Sequence, residues 1–263
     1  MIIIETDGIV LKTMDFKEKD SILTFLTRDE GKKTGVLHGG KSIKSGNAAK
    51  TELFVLNHFE FFEKIGSDLV SIRKCELLES YPLLRKTYSN FLHANYFSEL
   101  LLHCEIPEIE SIEYFNLLQK TISELSNSNN AIETKFNFEL QLMKFLGIEP
   151  NLENCIHCKG DIWTIISGRR IVPKYSIAYQ LDASLGGIRC PKCCVGNSFV
   201  ANLNPGSMIF FYLRKKSLAN NLFIKPTFNN LIELDKAFFI YFRYFFGKTI
   251  KSHSFFTSEL WKN

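Results

Sequence analysis

Nowhere in the 263 residues is there an uninterrupted apolar run of bilayer length, which takes about 20 residues. The most apolar stretch, KAFFIYFRYFFG at 236–247, is broken by Arg243 and flanked by Lys236 and Lys248. It reads as a core helix, and no membrane partner is predicted. The opening MIIIETDG lacks a basic n-region and meets Glu5 and Asp7 at once, unlike a signal peptide; the expectation is an intracellular chain. H-E-x-x-H, G-x-S-x-G and G-x-G-x-x-G are all absent, and the six histidines are scattered without a recognisable nucleophile or metal arrangement. The sequence therefore gives no support to an enzyme. It has no internal repeat and no low-complexity tract beyond the short linker SNSNN at 126–130.

What is present is an ordinary globular composition, 45% hydrophobic and 23% charged, enough for one large domain or two to three small ones. The net charge of +4 is unevenly spread. Residues 1–80 carry 12 basic and 13 acidic side chains, 81–150 carry 5 and 9, and 151–263 carry 15 and 6. Within the balanced first part, 31–51 holds Lys32, Lys33, Lys41, Lys44 and Lys50 without one acid. Local cationic excess of this kind suits a polyanionic partner; a solvated basic face is the alternative.

The patterning predicts an α+β chain. GIVLK at 8–12, SILTFLT at 21–27, TGVLH at 34–38, ELFVLNHFEF at 52–61 and the hairpin-like EFFEKIGSDLVSI at 60–72 amount to about five strands over 1–80. Such strands close most simply into a small barrel of the OB-fold type. From Tyr81 the period becomes helical. Phe91, Ala94, Phe97, Leu101 and Cys104 share one face, Phe115, Leu118, Ile122 and Leu125 a second, and Ile132, Phe136, Leu140, Met143 and Leu146 a third. Asn130 with Glu133 resembles a capping box, and Gly147 before Pro150 is a stop signal. Residues 151–200 lose periodicity and concentrate cysteine; Asn204-Pro205 then opens a helix, and Leu231, Leu234, Phe238, Phe242 and Phe245 mark another. The expected layout is an OB-fold domain at 1–80, a helical bundle whose parts are 81–150 and 201–263, and a cysteine-bearing insertion at 151–200.

GVLHGGKS at 35–42 satisfies G-x-x-x-x-G-K-[ST] letter for letter. A P-loop needs a buried strand before its first glycine and a helix beginning at the Lys-Ser. Here DEGKKT precedes Gly35, the strand residues Val36 and Leu37 lie inside the motif, and Gly46-Asn47 would break a helix begun at Ser42. The expectation is a strand, a sharp glycine turn and a lysine-bearing loop able to meet backbone phosphates.

Cys155 and Cys158 form CIHC, Cys190 and Cys193 form CPKC, and 31 residues separate the pairs. Two such turns present the four thiolates of a structural Zn²⁺ site with no open position. An odd total of seven cysteines argues against a disulfide framework, and a thioredoxin-like motif uses only one CxxC. Fe–S ligation stays open, and Cys194 competes with Cys193, which keeps the two-residue spacing. His157 reads as a bystander, and Cys75 and Cys104 as buried core. Beside the cysteines lie Arg169 and Arg170 of SGRR, Lys174, Arg189 and Lys192, which a metal-fixed loop is expected to present to phosphates, with solvated surface charge as the alternative. Arg214, Lys215 and Lys216 end an apolar helix, where they serve either DNA or the helix dipole.

GIVLKTMDFKEKDSILTFLTRDEGKKTGVLHGGK at 8–41, KFNFELQLMKFLGIEPNLENCIHC at 135–158, CPKC at 190–193 and RYFFGKTIKSHSF at 243–255 resemble, in this order, the RecO family of bacterial recombination mediators. The resemblance implies an N-terminal OB-fold, a helical C-terminal part and a zinc site in members that keep four cysteines. It further implies binding of single- and double-stranded DNA, annealing of strands coated by single-stranded DNA-binding protein, and action with RecR, and in some members RecF, to load RecA. It implies no ATP hydrolysis, and a cytoplasmic, nucleoid-associated location. A zinc-stabilised scaffold that binds only proteins, and a P-loop nucleotidase, are the alternatives from other classes. The loop between Gly40 and Thr51 is lysine-rich where the family would suggest more arginine. Phe16, Phe54 and Phe59 are undecided between base stacking and core.

Overall fold

The computed structural model describes residues 3–44, 46–63, 66, 69–127, 130–166, 169–217 and 226–256, with the side chains at 165, 166, 169–171 and 217 outside that set. The chain divides into two compact units, Met1–Thr134 and Lys135–Asn263.

In the first unit β1 (Ile3–Phe16), β2 (Asp20–Thr27), β3 (Lys32–Leu37), β4 (Leu56–Phe62) and β5 (Leu69–Glu79) close in the order β1-β2-β3-β5-β4. Every pairing is antiparallel except β3 with β5, which run parallel from Thr34↔Leu69 to Leu37↔Ile72. This is the OB-like arrangement. β1 serves two neighbours, β4 along Ile3–Ile9 and β2 along Gly8–Phe16, and its register with β2 shifts between Val10 and Lys12, a bulge that bends the strand. The interior is apolar and aromatic: Phe25 stacks on Phe59 at 4.1 Å, with Val10, Phe61, Val70 and Ile72 around them. Phe54 and Phe59 are fully buried, so both are core; Phe16 is half-buried.

The apolar run at 52–61 is not a strand throughout. β4 begins at Leu56, and the residues before it turn inward, with Phe54 at φ 67°. Phe54 N donates to Val10 O and Val10 N to Val55 O, which places Val55 in the barrel core and leaves the buried Phe54 ring edge-on to Phe91 at 5.8 Å. A single helical turn, α1 (Asn47–Lys50), lies between β3 and β4.

α2 (Tyr88–His103) is capped by the Thr87 side chain, which accepts from Asn90 N; α3 (Ser111–Asn127) buries the predicted Phe115, Leu118, Ile122 and Leu125. Phe91 is only half-buried. α4 (Ala131–Phe145) has the expected Asn130 cap: Glu133 N donates to Asn130 Oδ1, and the two side chains also meet, Asn130 Nδ2 donating to Glu133 Oε2.

The cysteine-rich stretch carries five short strands that periodicity could not reveal: β6 (Trp163–Ile166), β7 (Arg169–Pro173), β8 (Tyr179–Asp182), β9 (Gly187–Arg189) and β10 (Val200–Leu203). At three to five residues each they are too short to show a period, and β8 and β9 are buried throughout. They form a β6-β7 hairpin and a β10-β8-β9 sheet. α5 (Pro205–Ser217) starts at Asn204, whose Oδ1 accepts from Ser207 N, and α6 (Phe228–Phe246) at a Thr227–Asn230 capping box. Phe238 packs edge-on against both Phe136 and Phe211 in this unit's core. Phe245, expected inside, is 44% exposed. Lys135, fully buried, pairs with Glu139 and, at 3.0 Å, with Asp235, which in turn meets His253 Nε2 at 2.9 Å.

Candidate metal centre and nucleic-acid interface

The sulfur atoms of Cys155, Cys158, Cys190 and Cys193 all lie within 4.8 Å of one another. The first pair sits on a tight turn in which Lys159 N donates to Cys155 O and Cys155 N to Gly160 O, with Lys159 in the left-handed region at φ 61°. Ile156 N then donates to Ile188 O on β9, and Cys190 N to Cys155 Sγ at 3.3 Å, which brings the second pair alongside. A tetrahedral Zn–S bond of about 2.3 Å requires sulfurs about 3.8 Å apart; Cys158 and Cys190 are at 3.9 Å.

Donor chemistry points the same way. Burial opposes a thiolate at Cys155, yet backbone N–H groups of Cys190, Cys158 and His157 outweigh it and draw the thiol down to about 6. Burial, and then the other three sulfurs, push Cys193 up to about 12, and burial raises Cys190 also. Four sulfurs at this spacing resist ionising together unless a cation sits among them, and a soft divalent metal removes that conflict. The residues therefore fit a metal ion, which would supply a cross-link between two turns, and among the described residues no other such group occurs. His157 is exposed and outside the cluster, as is Cys194, while Cys75 and Cys104 are buried core thiols pushed up to about 12 by burial.

The basic residues separate into three groups. Lys32 Nζ is engaged by the carbonyls of Leu101, Leu102 and Cys104 at the end of α2, and Lys33 meets Glu63 at 2.6 Å and Glu108 at 3.3 Å. These two, expected among the cations of 31–51 that would meet a polyanion, instead tie the barrel to its own unit. Arg189, read as surface charge, is likewise buried against Asp182. The second group is partly engaged: Lys41 with Asp15 at 3.1 Å, Arg214 with Asn137, Lys215 with Pro150 O and Glu149, and Lys216 with Glu153 at 3.4 Å. The third is exposed, Lys44 and Lys174. Arg169 and Arg170 stand on β7 opposite Ile166 and Ile165.

Lys50 lines a depression of ≈ 410 Å³ on the barrel, shared with His38, Asn47, Ser71, Arg73 and Lys74. Arg73 and Lys74, which no sequence spacing singled out, are 58% and 48% exposed on β5; Arg73 meets Glu60 only at 3.9 Å, while Lys74 pairs with Glu76 at 2.8 Å and with Glu60 at 3.5 Å, exposed pairs of small net worth. The signal available in the sequence was only that two adjacent cations fell within a strand.

The GVLHGGKS segment is not a phosphate cradle. Gly35 lies inside β3, where a Cβ would come 2.6 Å from Val70 Cγ2, so its bareness serves the close parallel approach of β5. Gly39, at φ 65°, turns the chain after the strand. The first helical turn comes only at Asn47.

Two family profiles match the chain. One, described as the N-terminal part of recombination protein O, covers residues 1–81, and the other, its C-terminal part, covers 85–216. Similar curated proteins, all called DNA repair protein RecO, include that of Desulforamulus reducens, 27% identical over 97% of this chain and 94% of its own length. That of Symbiobacterium thermophilum is 29% identical over 79% and 78%, and that of Syntrophus aciditrophicus 26% identical over 72% and 69%. With an OB-like barrel at residues 3–79 and a four-cysteine centre beyond it, each inside a matched region, the chain belongs to the RecO family of DNA repair proteins.

Proposed function

We propose that this chain is a recombination mediator. It binds single- and double-stranded DNA through backbone phosphates, anneals complementary strands, and helps load recombinase onto DNA coated by single-stranded DNA-binding protein. The observation that carries the reading is the cationic depression on an OB-like barrel, where Lys50, Arg73 and Lys74 stand together beside the exposed Lys44 loop. Lysines and arginines in exposed ion pairs exchange carboxylate for phosphate at little cost, and they carry no base-edge geometry. Binding is then indifferent to sequence. Two phosphate backbones repel, and a protein that neutralises both lets their bases pair.

Arg169, Arg170, Lys174 and the Arg214–Lys216 run add cations in the other unit, and Lys41 adds one in the segment after β3. Lys32 and Lys33 drop out of the contact set because their ammonium groups are already engaged. The metal at Cys155, Cys158, Cys190 and Cys193 is Zn²⁺ in a structural role, one per chain. RecR and single-stranded DNA-binding protein, with RecF in some settings, are the partners, in the cytoplasm at the nucleoid, and no catalytic step is invoked.

The test is the anisotropy of a labelled single-stranded oligonucleotide across a salt series. A slope of about −0.7 per neutralised phosphate, equal for different base sequences, is expected. Changing Lys44, Lys50, Arg73 and Lys74 to Ala should weaken binding and flatten that slope. No binding at low salt by folded, metal-replete protein would shift the reading to a scaffold that binds proteins alone.

A further inference from the structure

Five cysteines lie in or beside the metal centre, but only four point into it, and the structure gives a reason. Cys193 and Cys194 are neighbours with the same chemistry; Cys193 Sγ joins the cluster, while Cys194 is exposed and its thiol donates to Cys190 O at 3.7 Å. The two peptide groups that flank Cys194 are each held by a buried side chain from the β8-β9 pair. The carbonyl oxygen of Cys193, in the peptide group before Cys194, accepts from Arg189 Nη1 at 3.2 Å. The N–H of Val195, in the peptide group after it, donates to Gln180 Oε1 at 2.8 Å, and Gln180 Nε2 donates to Val195 O at 3.1 Å.

Both clamping side chains are themselves fixed. Arg189 Nε donates to Asp182 Oδ2 at 2.6 Å, and Asp182, fully buried, accepts through Oδ1 from Ser184 N, Ser184 Oγ and Leu185 N. Gln180 Nε2 also reaches Asn202 Oδ1 on β10 at 3.1 Å. With both planes immobilised, Cys194 is held at φ −60°, ψ 145°, and the direction of its Cα–Cβ bond is fixed with them. The short turn Cys193 N→Cys190 O, 2.9 Å, keeps Cys193 facing inward.

We infer that Gln180 and Arg189 are positioning residues which select Cys193 over Cys194 as the fourth metal ligand. This rests on the metal reading above. In a flexible CPKCC segment either thiol could close the tetrahedron, and the site would interconvert between two ligand sets. The clamp removes that freedom and leaves Cys194 a bystander, in the way that outer partners orient metal ligands elsewhere, typically worth about 10–100-fold in affinity.

The experiment uses the full chain and Co²⁺, whose thiolate charge-transfer absorbance counts bound sulfurs. The unchanged chain first tests the metal reading itself: four thiolates are expected, and Cys194→Ser should retain all four. Cys193→Ser should lose about one quarter of the absorbance and bind Co²⁺ at least about tenfold more weakly. Adding Gln180→Met to Cys193→Ser should restore the fourth thiolate by admitting Cys194. Arg189→Lys in the same background gives a second route, since it keeps a cation opposite Asp182 while losing the arm to Cys193 O. Four thiolates in Cys193→Ser alone, a thiolate lost in Cys194→Ser, or no restoration in either folded double variant would each overturn the inference. Loss of Co²⁺ binding in the unchanged chain would instead overturn the metal reading.

Discussion

Lys32 Nζ lies 2.7 Å from the carbonyl oxygen of Cys104, and it also bonds Leu101 O and Leu102 O. The last carbonyls of a helix have no partner within it, and a cation there satisfies both their hydrogen bonds and the negative end of the dipole. Lys32→Met should therefore destabilise the chain by about 1–3 kcal/mol, read from the urea midpoint. The salt slope of DNA binding should stay as it was; a slope flattened by about one contact would return Lys32 to the interface.

Removing Lys135 leaves Glu139 and Asp235 facing each other inside the second unit. Lys135→Met should cost about 3–5 kcal/mol, the usual penalty for a buried charge that loses its partner. A single unfolding transition with an unchanged midpoint would rule out a charged network at this position.

The same network sets an acid dependence. Burial works against the Asp235 carboxylate, but Lys135 and His253 outweigh it and hold its pKa below the usual value. A depressed folded pKa contributes stability that is present above the unfolded value of about 3.9 and is lost as pH falls through the folded one. Asp235→Asn should remove part of the stability loss seen on acidification below about pH 4, as measured by denaturant midpoints. Identical acid profiles for the two chains would count against it.

Metal binding should release protons. Cys155 is drawn down to about 6, whereas Cys193 is pushed up to about 12 and Cys190 is raised, so at neutral pH metal binding displaces protons from the raised thiols into solvent. Affinity should rise with pH, which chelator competition at pH 6 and pH 8 would read. Metal analysis should give one zinc per chain, and its removal should destabilise the second unit; a folded, reduced protein without metal would refute the site.

Gly35→Ala should weaken the barrel by about 1–3 kcal/mol, because the new Cβ meets Val70 Cγ2 at 2.6 Å and Ile72 Cγ1 at 3.0 Å. ATP should leave the melting temperature of the parent chain unmoved, and Lys41→Ala should not alter that. Thermal protection by ATP, lost in Lys41→Ala, is the result that would revive a nucleotide site.

Features written in near neighbours were legible in the chain alone. The strands near 8–12, 21–27 and 34–38, the α3 stripe Phe115, Leu118, Ile122 and Leu125, the Asn130–Glu133 cap and the two CxxC turns each depend on spacings of a few residues, which local backbone geometry converts directly into structure. Tertiary structure decided everything that turns on which distant groups meet. The parallel pairing of β3 with β5 makes Gly35 a packing residue, the α2 terminus claims Lys32, and the turn at Phe54 sends an apolar run inward where a strand was expected. Arg73 and Lys74 acquire meaning only when β5 sets them beside Lys50. The two-residue spacing favours Cys193 over Cys194, and the folded β8-β9 pair, through Gln180 and Arg189, holds the peptide groups on either side of Cys194. A charge or thiol has no role of its own in the chain. Its partner is chosen by the closing of the fold, as when Lys32 finds the carbonyl of Cys104, 72 positions along the chain.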